Sequence, residues 1–280
     1  MPSTGFGYMT VIRITIILAV MASTTVTRAD DFHTLMMRAT VKLQHERSTA
    51  TGFILRQPGM GPAQESRWVL VTAAHVLERI SDNETTVVYR VREAEGVYRK
   101  ELSALAIRKG GQPLWTKHPT EDVAAMVVTP PDKVDLPEIS TEQLANDELV
   151  RKHGIHPGQI VTCLGYPHRT EANQAGFPIL RSGSISSYPL IPATANTTFM
   201  LSANTFEGDS GGPIYMVGPA LHQSGEPLEQ VRLILGLMHG QHFLDEEMAM
   251  IYGNSKVRHR LGLGIVVQAA FIRETLEKLP

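Results

Sequence analysis

Three short segments carry side chains that together could activate a hydroxyl: Val71-Thr72-Ala73-Ala74-His75, Glu121-Asp122-Val123-Ala124 and Gly208-Asp209-Ser210-Gly211-Gly212-Pro213. A serine hydroxyl is a poor nucleophile at neutral pH. It needs a base to take its proton and a carboxylate to orient that base. The three segments offer one of each, and the chemistry such a trio supports is acyl transfer. Singly, each segment is ordinary. Gly-Asp-Ser-Gly-Gly-Pro is turn chemistry, a histidine closing an apolar run is often structural, and an aspartate before Val-Ala-Ala-Met-Val-Val often marks a strand entry. Their conjunction in the order His, Asp, Ser points to a hydrolytic triad.

The order and the surrounding motifs resemble the trypsin/chymotrypsin family of serine endopeptidases, in the bacterial branch that includes HtrA-like and glutamyl-endopeptidase-like enzymes. Subtilisins and α/β-hydrolases carry the three residues in other orders, and the serine here lacks the Gly-x-Ser-x-Gly elbow. Thr51-Gly52-Phe53-Ile54-Leu55 resembles the strand before the family's histidine, and Trp68 to Leu77 resembles the strand ending in its Thr-Ala-Ala-His signature. Leu164-Gly165-Tyr166-Pro167, Gly183-Ser184-Ile185-Ser186 and Leu235-Gly236-Leu237 resemble strands of the second barrel, so the likeness runs from about Arg38 to the C-terminus.

The resemblance implies Ser210 as nucleophile, His75 as general base and then acid, and Asp122 as the group fixing the imidazole tautomer. The N–H groups of Gly208 and Ser210 would form the oxyanion hole. The base of the acyl-side pocket falls near Asn204, with Thr205 beside it and His239-Gly240-Gln241 along the wall. No aspartate stands at that base, so a Lys or Arg side chain would lose hydration without gaining a partner charge. Two preferences stay open, a small or medium apolar side chain and an acidic one. Thr205 and His239 resemble the hydroxyl and histidine of glutamyl endopeptidases, although His239 stands one place past the family position, which Met238 holds. In zymogens of this family the aspartate before the nucleophile pairs with a freed N-terminal ammonium on Ile-Val-Gly-Gly. No such sequence occurs near the expected mature N-terminus, so Asp209 requires another donor.

The elements that must position these residues read as short strands broken by Gly/Pro turns. Candidates in the first half are Val41 to Leu43, Gly52 to Arg56, Val69 to Thr72, Thr86 to Val91, Leu102 to Arg108 and Val123 to Val128, with a helical turn over His75 to Ile80 and a lead-in helix near Thr34 to Arg38. Pro130 to about Gly158 connects the halves, Thr141 to Lys152 having a helix-like polar pattern. The second half offers Gln159 to Leu164, Gly183 to Ser187, Thr198 to Ala203, Gly212 to Met216, Val231 to Met238 and Gly262 to Val267. Thr194 to Thr198 and Phe243 to Met250 read as surface loops flanking the cleft. The resemblance makes this an all-β, chymotrypsin-like fold of two six-stranded antiparallel β-barrels. The first barrel is expected at about 38–130, the second at about 159–268 and a C-terminal helix at about 269–279, with the site between the barrels.

Composition narrows the remaining classes. The chain has 280 residues, 42% of them hydrophobic, and a formal charge of −2. That charge offers no footprint for nucleic acid or an anionic membrane, and no phosphate-binding loop is present. The eleven histidines show no metal-ligand spacing, so neither a metal nor another cofactor is implied. One cysteine, Cys163, excludes an intramolecular disulfide and sits in the apolar run Ile160 to Leu164, where a packed thiol is expected. Arg13 followed by Ile14 to Ala22, with Thr27-Arg28-Ala29 beyond, reads as a signal peptide over residues 1–29, cleaved after Ala29 or alternatively after Ala22. The expectation is a peptidase domain over 30–280 that is secreted or periplasmic, without a lasting membrane anchor or a PDZ domain. It would act on protein or peptide substrates and need no proteolytic activation beyond signal removal. A non-catalytic peptide-binding or chaperone-like relative and an esterase using the same triad are the competing functions.

Overall fold

Strand β3 (Arg67–Thr72) organises the first half of the chain because Val69 to Thr72 are all buried, with a neighbour on each side. It pairs with β2 (Ser48–Gln57) in the register Phe53↔Val71 and with β9 (Ala124–Val128) in the register Thr72↔Ala124. In the computed structural model residues 31–46, 48–59, 65–219, 230–250 and 253–280 are described. The expected signal peptide therefore lies outside the described residues.

The remaining strands of this half are β1 (Thr40–His45), β4 (Glu84–Ala94), β5 (Val97–Ala106) and β8 (Thr116–Lys117), giving a seven-stranded antiparallel sheet ordered β5-β4-β1-β2-β3-β9-β8. Six of these strands answer to the six expected, and two-residue β8 adds a short edge. β6 (Arg108–Lys109) and β7 (Gln112–Pro113) form a separate small ribbon. Helix α1 (Phe32–Ala39) is capped by the Asp31 carboxylate and buries Phe32 and Met36 in the core.

The second half closes into a six-stranded barrel of β10 (Ile160–Gly165), β11 (Ile179–Ile185), β12 (Thr198–Ser202), β15 (Gly253–Gln268), β14 (Gln230–Met250) and β13 (Pro213–Pro219). Helix α4 (Ala269–Glu277) ends the chain as expected and buries Phe271, Ile272 and Leu276. The connecting segment carries a 3-10 turn over Thr141–Gln143 and α3 (Asp147–Lys152) instead of one helix over 141–152. The break falls at Leu144 and Ala145, where Leu144 bridges to Ile234 and the Ala145 N–H donates to the Ile234 carbonyl. Asn146 then caps α3.

One expectation is corrected. Phe243 to Met250 is not a loop but the outer half of β14, paired residue by residue with β15 from Phe243↔Arg260 to Met250↔Gly253. A cross-strand ion pair of Arg258 with Asp245 and a hydrogen bond between His259 and Glu246 hold this polar ribbon.

Candidate active site

The pairing Thr72↔Ala124 brings two chain exits to one edge of the first sheet. His75 follows β3 in the first turn of α2 (Ala74–Glu78), and Asp122 precedes β9, so two residues 47 positions apart become neighbours. Asp122 Oδ1 accepts the His75 backbone N–H at 2.8 Å, supplying a partner to a donor that a helix start leaves unsatisfied. Its Oδ2 accepts the ring Nδ1–H of His75 at 2.6 Å. Because a carboxylate only accepts, this bond places the ring hydrogen on Nδ1 and leaves the Nε2 lone pair free.

A second imidazole reaches the same oxygen. His239 Nδ1 donates to Asp122 Oδ2 at 2.6 Å, and the two rings stand edge-on with centroids 5.9 Å apart. The pairing of β14 with β15 steps from Met238↔Val266 to Gly240↔Ile265, so His239 is the extra residue of a β-bulge. Bulges re-aim a side chain in this way, and here the ring is turned onto Asp122. Against the desolvation that burial imposes, the bonds from His239, the His75 ring and the His75 N–H hold the Asp122 carboxyl well below the usual carboxylate range. The hydrogen bond to Asp122 in turn raises His239, overcoming its own partial burial.

Ser210 lies in the turn just before β13. The first sheet pins that turn: the Thr51 N–H donates to the Ser210 carbonyl at 2.9 Å, Thr51 Oγ1 to the Gly208 carbonyl at 2.7 Å, and Thr72 Oγ1 to the Thr51 carbonyl at 2.7 Å. Gly208 has φ +98°, and a Cβ there would run into the Tyr166 carbonyl, so the turn requires glycine. Among the described residues neither the Gly208 nor the Ser210 N–H has an intramolecular acceptor. Both residues line a cleft of about 300 Å³ together with His75, His168 and Glu207. The Ser210 hydroxyl reaches the His239 carbonyl at 3.5 Å, and among the described residues no hydrogen bond joins it to His75. In substrate-free sites that contact is commonly long and tightens on binding.

The donor that Asp209 requires is Arg181, on β11. Its Nη1 and Nη2 meet Asp209 Oδ2 and Oδ1 at 2.8 and 2.6 Å, and the Phe206 N–H adds a bond to Oδ2 at 2.7 Å. Asp209 is 2% exposed, so this fork-to-fork pair, with the Phe206 N–H, compensates for burying its charge. Gly165 makes the room, since a Cβ there would collide with Asp209 Oδ1. Arg181 Nη1 also donates to the Asn204 carbonyl at 3.1 Å, tying the front of the 204–209 loop to its end.

The remaining residues of the expected pocket divide. Thr205 Oγ1 donates to Gln241 Oε1 at 3.3 Å, Asn204 lies beside Gly262, and Gly240 faces open space. The His239 ring is directed to Asp122 and away from this group. Sequence reasoning missed Arg181. The need for a donor was visible, but 26 Lys and Arg residues offered no local mark distinguishing this one.

A family model described as a trypsin-like peptidase domain matches residues 50–217. No curated protein matches the chain. Among solved structures it is similar to the inactive form of a serine-to-alanine variant of Rv3671c from M. tuberculosis, at 19% identity over 88% of this chain and 89% of that one, with a TM-score of 0.44. A second inactive form, of the Rv3671c protease, gives 19% identity, 88% and 91% coverage and a TM-score of 0.42.

Proposed function

The chain belongs to the trypsin-like peptidase family, and from that membership we propose that it is an exported serine endopeptidase working through His75, Asp122 and Ser210 by way of an acyl-enzyme. The observation that carries the triad is the double hold of Asp122 on His75, which fixes the ring with its Nε2 lone pair free and Ser210 across the same cleft. The Ser210 hydroxyl, turned from the His239 carbonyl toward His75, attacks the peptide carbonyl as Nε2 takes its proton. The carbonyl oxygen becomes an anion received by the Gly208 and Ser210 N–H groups, each such donor lowering the barrier by about 3–4 kcal/mol. His75 then protonates the departing amine, and water, deprotonated by the same nitrogen, releases the acid.

Asn204, Thr205, Gly240 and Gln241 form the acyl-side pocket. None of these four residues carries a carboxylate, and the Arg181 guanidinium that donates to the Asn204 carbonyl is paired with Asp209, so a cationic side chain finds no free partner among them. Export rests on the Arg13 to Ala29 segment. Cleavage after Ala29 leaves Asp31 in place to cap α1.

A fluorophosphonate probe on the mature chain tests the central claim, followed by turnover of casein and of a p-nitrophenyl ester. Labelling at Ser210 with casein turnover is the expected result. No labelling makes the chain a peptide-binding relative, and ester turnover without casein turnover makes it an esterase.

A further inference from the structure

His75, Asp122 and His239 bring three potential ligand atoms, two imidazole Nδ1 and one carboxylate Oδ2, within 4.8 Å of one another. Both rings place Nδ1 2.6 Å from the same carboxylate oxygen, so the three donor atoms gather at one place. The His239 side chain is 41% exposed, which opens that point to ions from solvent. We propose that these three residues form an inhibitory binding site for zinc or a similar divalent transition-metal ion. Binding does not depend on the function proposed above; inhibition rests on His75 being the base of that reaction.

The donor set selects the ion. Two imidazoles and one carboxylate suit Zn²⁺ and its first-row neighbours, whereas Mg²⁺ and Ca²⁺ seek oxygen ligands. Zinc sits about 2.0–2.1 Å from nitrogen and about 2.0–2.2 Å from carboxylate oxygen, so tetrahedral binding spreads each N···O pair to about 3.3 Å. Each N···O pair thus opens by less than an ångström, and the two Nδ1 atoms, within 4.8 Å of each other, close to a similar separation by movement of His239, which is half-exposed and sits on a bulge. Water from the open side completes the coordination.

Inhibition follows from which ring nitrogen carries the hydrogen. Without the ion, Nδ1–H donates to Asp122 and Nε2 holds a lone pair. To ligate, each Nδ1 releases its proton to solvent and presents its lone pair to the metal, while Nε2 gains a proton from solvent and the ring stays neutral. Nε2 of His75 then carries a hydrogen and has no lone pair with which to accept the Ser210 proton. The ion also takes the carboxylate oxygen that steadies the imidazolium. Only exchangeable N–H protons move, so a chelator reverses the effect.

The test titrates Co²⁺ into the chelator-treated Ser210→Ala chain, which retains all three ligands and cannot digest itself, and follows visible absorption with Zn²⁺ as competitor. One Co²⁺ per chain with bands of tetrahedral intensity is expected, displaced by Zn²⁺ and not by Mg²⁺. Adding His239→Ala, or the less disruptive His239→Ser, should weaken Co²⁺ binding by at least the roughly 10–100-fold that loss of a ligand's hydrogen-bond partner costs, while His45→Ala, in the same cleft, leaves it unchanged. In the Ser210 enzyme Zn²⁺ should inhibit reversibly, and the inhibition, referred to each variant's own metal-free rate, should weaken with His239→Ala. Absent binding, or binding indifferent to His239, overturns the site even in an active peptidase. Binding by a chain that hydrolyses nothing leaves the site standing and overturns the proposed function.

Discussion

Arg181 grips Asp209, the residue immediately before Ser210, with both terminal nitrogens, at 2.8 and 2.6 Å. The pair joins strand β11 to the turn before β13, and under the proposed function it takes the place of the freed N-terminus of zymogens. Arg181→Met should lower unfolding stability by about 3–5 kcal/mol because it leaves a buried carboxylate uncompensated. Activity should fall with it as the Gly208 turn loosens. Denaturant unfolding with active-site titration reads both, and Asp209→Asn added to Arg181→Met should recover part of the stability. Full activity and stability in Arg181→Met would remove the pair from the account.

The same pair predicts independence from the N-terminus. A mature chain starting at Asp30 and one with several extra residues ahead of it should hydrolyse peptide equally, since Asp209 is already paired. Activity that emerged only after a defined internal cut would contradict this.

Ser210→Ala should abolish hydrolysis while leaving the unfolding midpoint near wild type, because the change opens no core cavity. His75→Ala should be about as severe, members of such a unit being non-additive. Asp122→Asn should cost about 10⁴ in kcat, as an amide no longer enforces the Nδ1–H tautomer. Steady-state kinetics on one peptide substrate compares all three, and wild-type turnover by Ser210→Ala would refute the triad.

Cleavage preference follows from the neutral Thr205–Gln241 pair with Arg181 behind Asn204. A mixed peptide library should show little cutting after Lys or Arg. The His239 bond to Asp122 takes that ring away from the pocket, so cutting after Glu, if present, should depend on Thr205 and Gln241. Dominant cleavage after basic residues would refute the pocket.

Cys163 should be chemically silent in the native chain. Burial pushes its thiol up to about 11, so little thiolate exists at pH 8. Iodoacetamide labelling should appear only with unfolding, and rapid labelling of native protein would show that β10 is open.

Much of the molecule was legible because its signals are local. A residue's type restricts its own backbone, so the glycine turn around Ser210 and the apolar strands could be read without knowing the fold. The charged outer part of β14 misled because Asp245-Glu246-Glu247 resembles a solvated loop until β15 supplies the opposing Arg258 and His259.

Residue types and chain order marked His75, Asp122 and Ser210, and the absence of an activation sequence near the expected mature N-terminus showed that Asp209 needs a donor other than a freed ammonium. Only the tertiary structure decided that Arg181, 28 positions away, is that partner, and that His239, 117 positions from Asp122, shares the carboxylate of His75. Barrel closure sets the first contact and a one-residue bulge sets the second. Both are properties of strand pairing between distant segments, which side-chain type at one position does not specify.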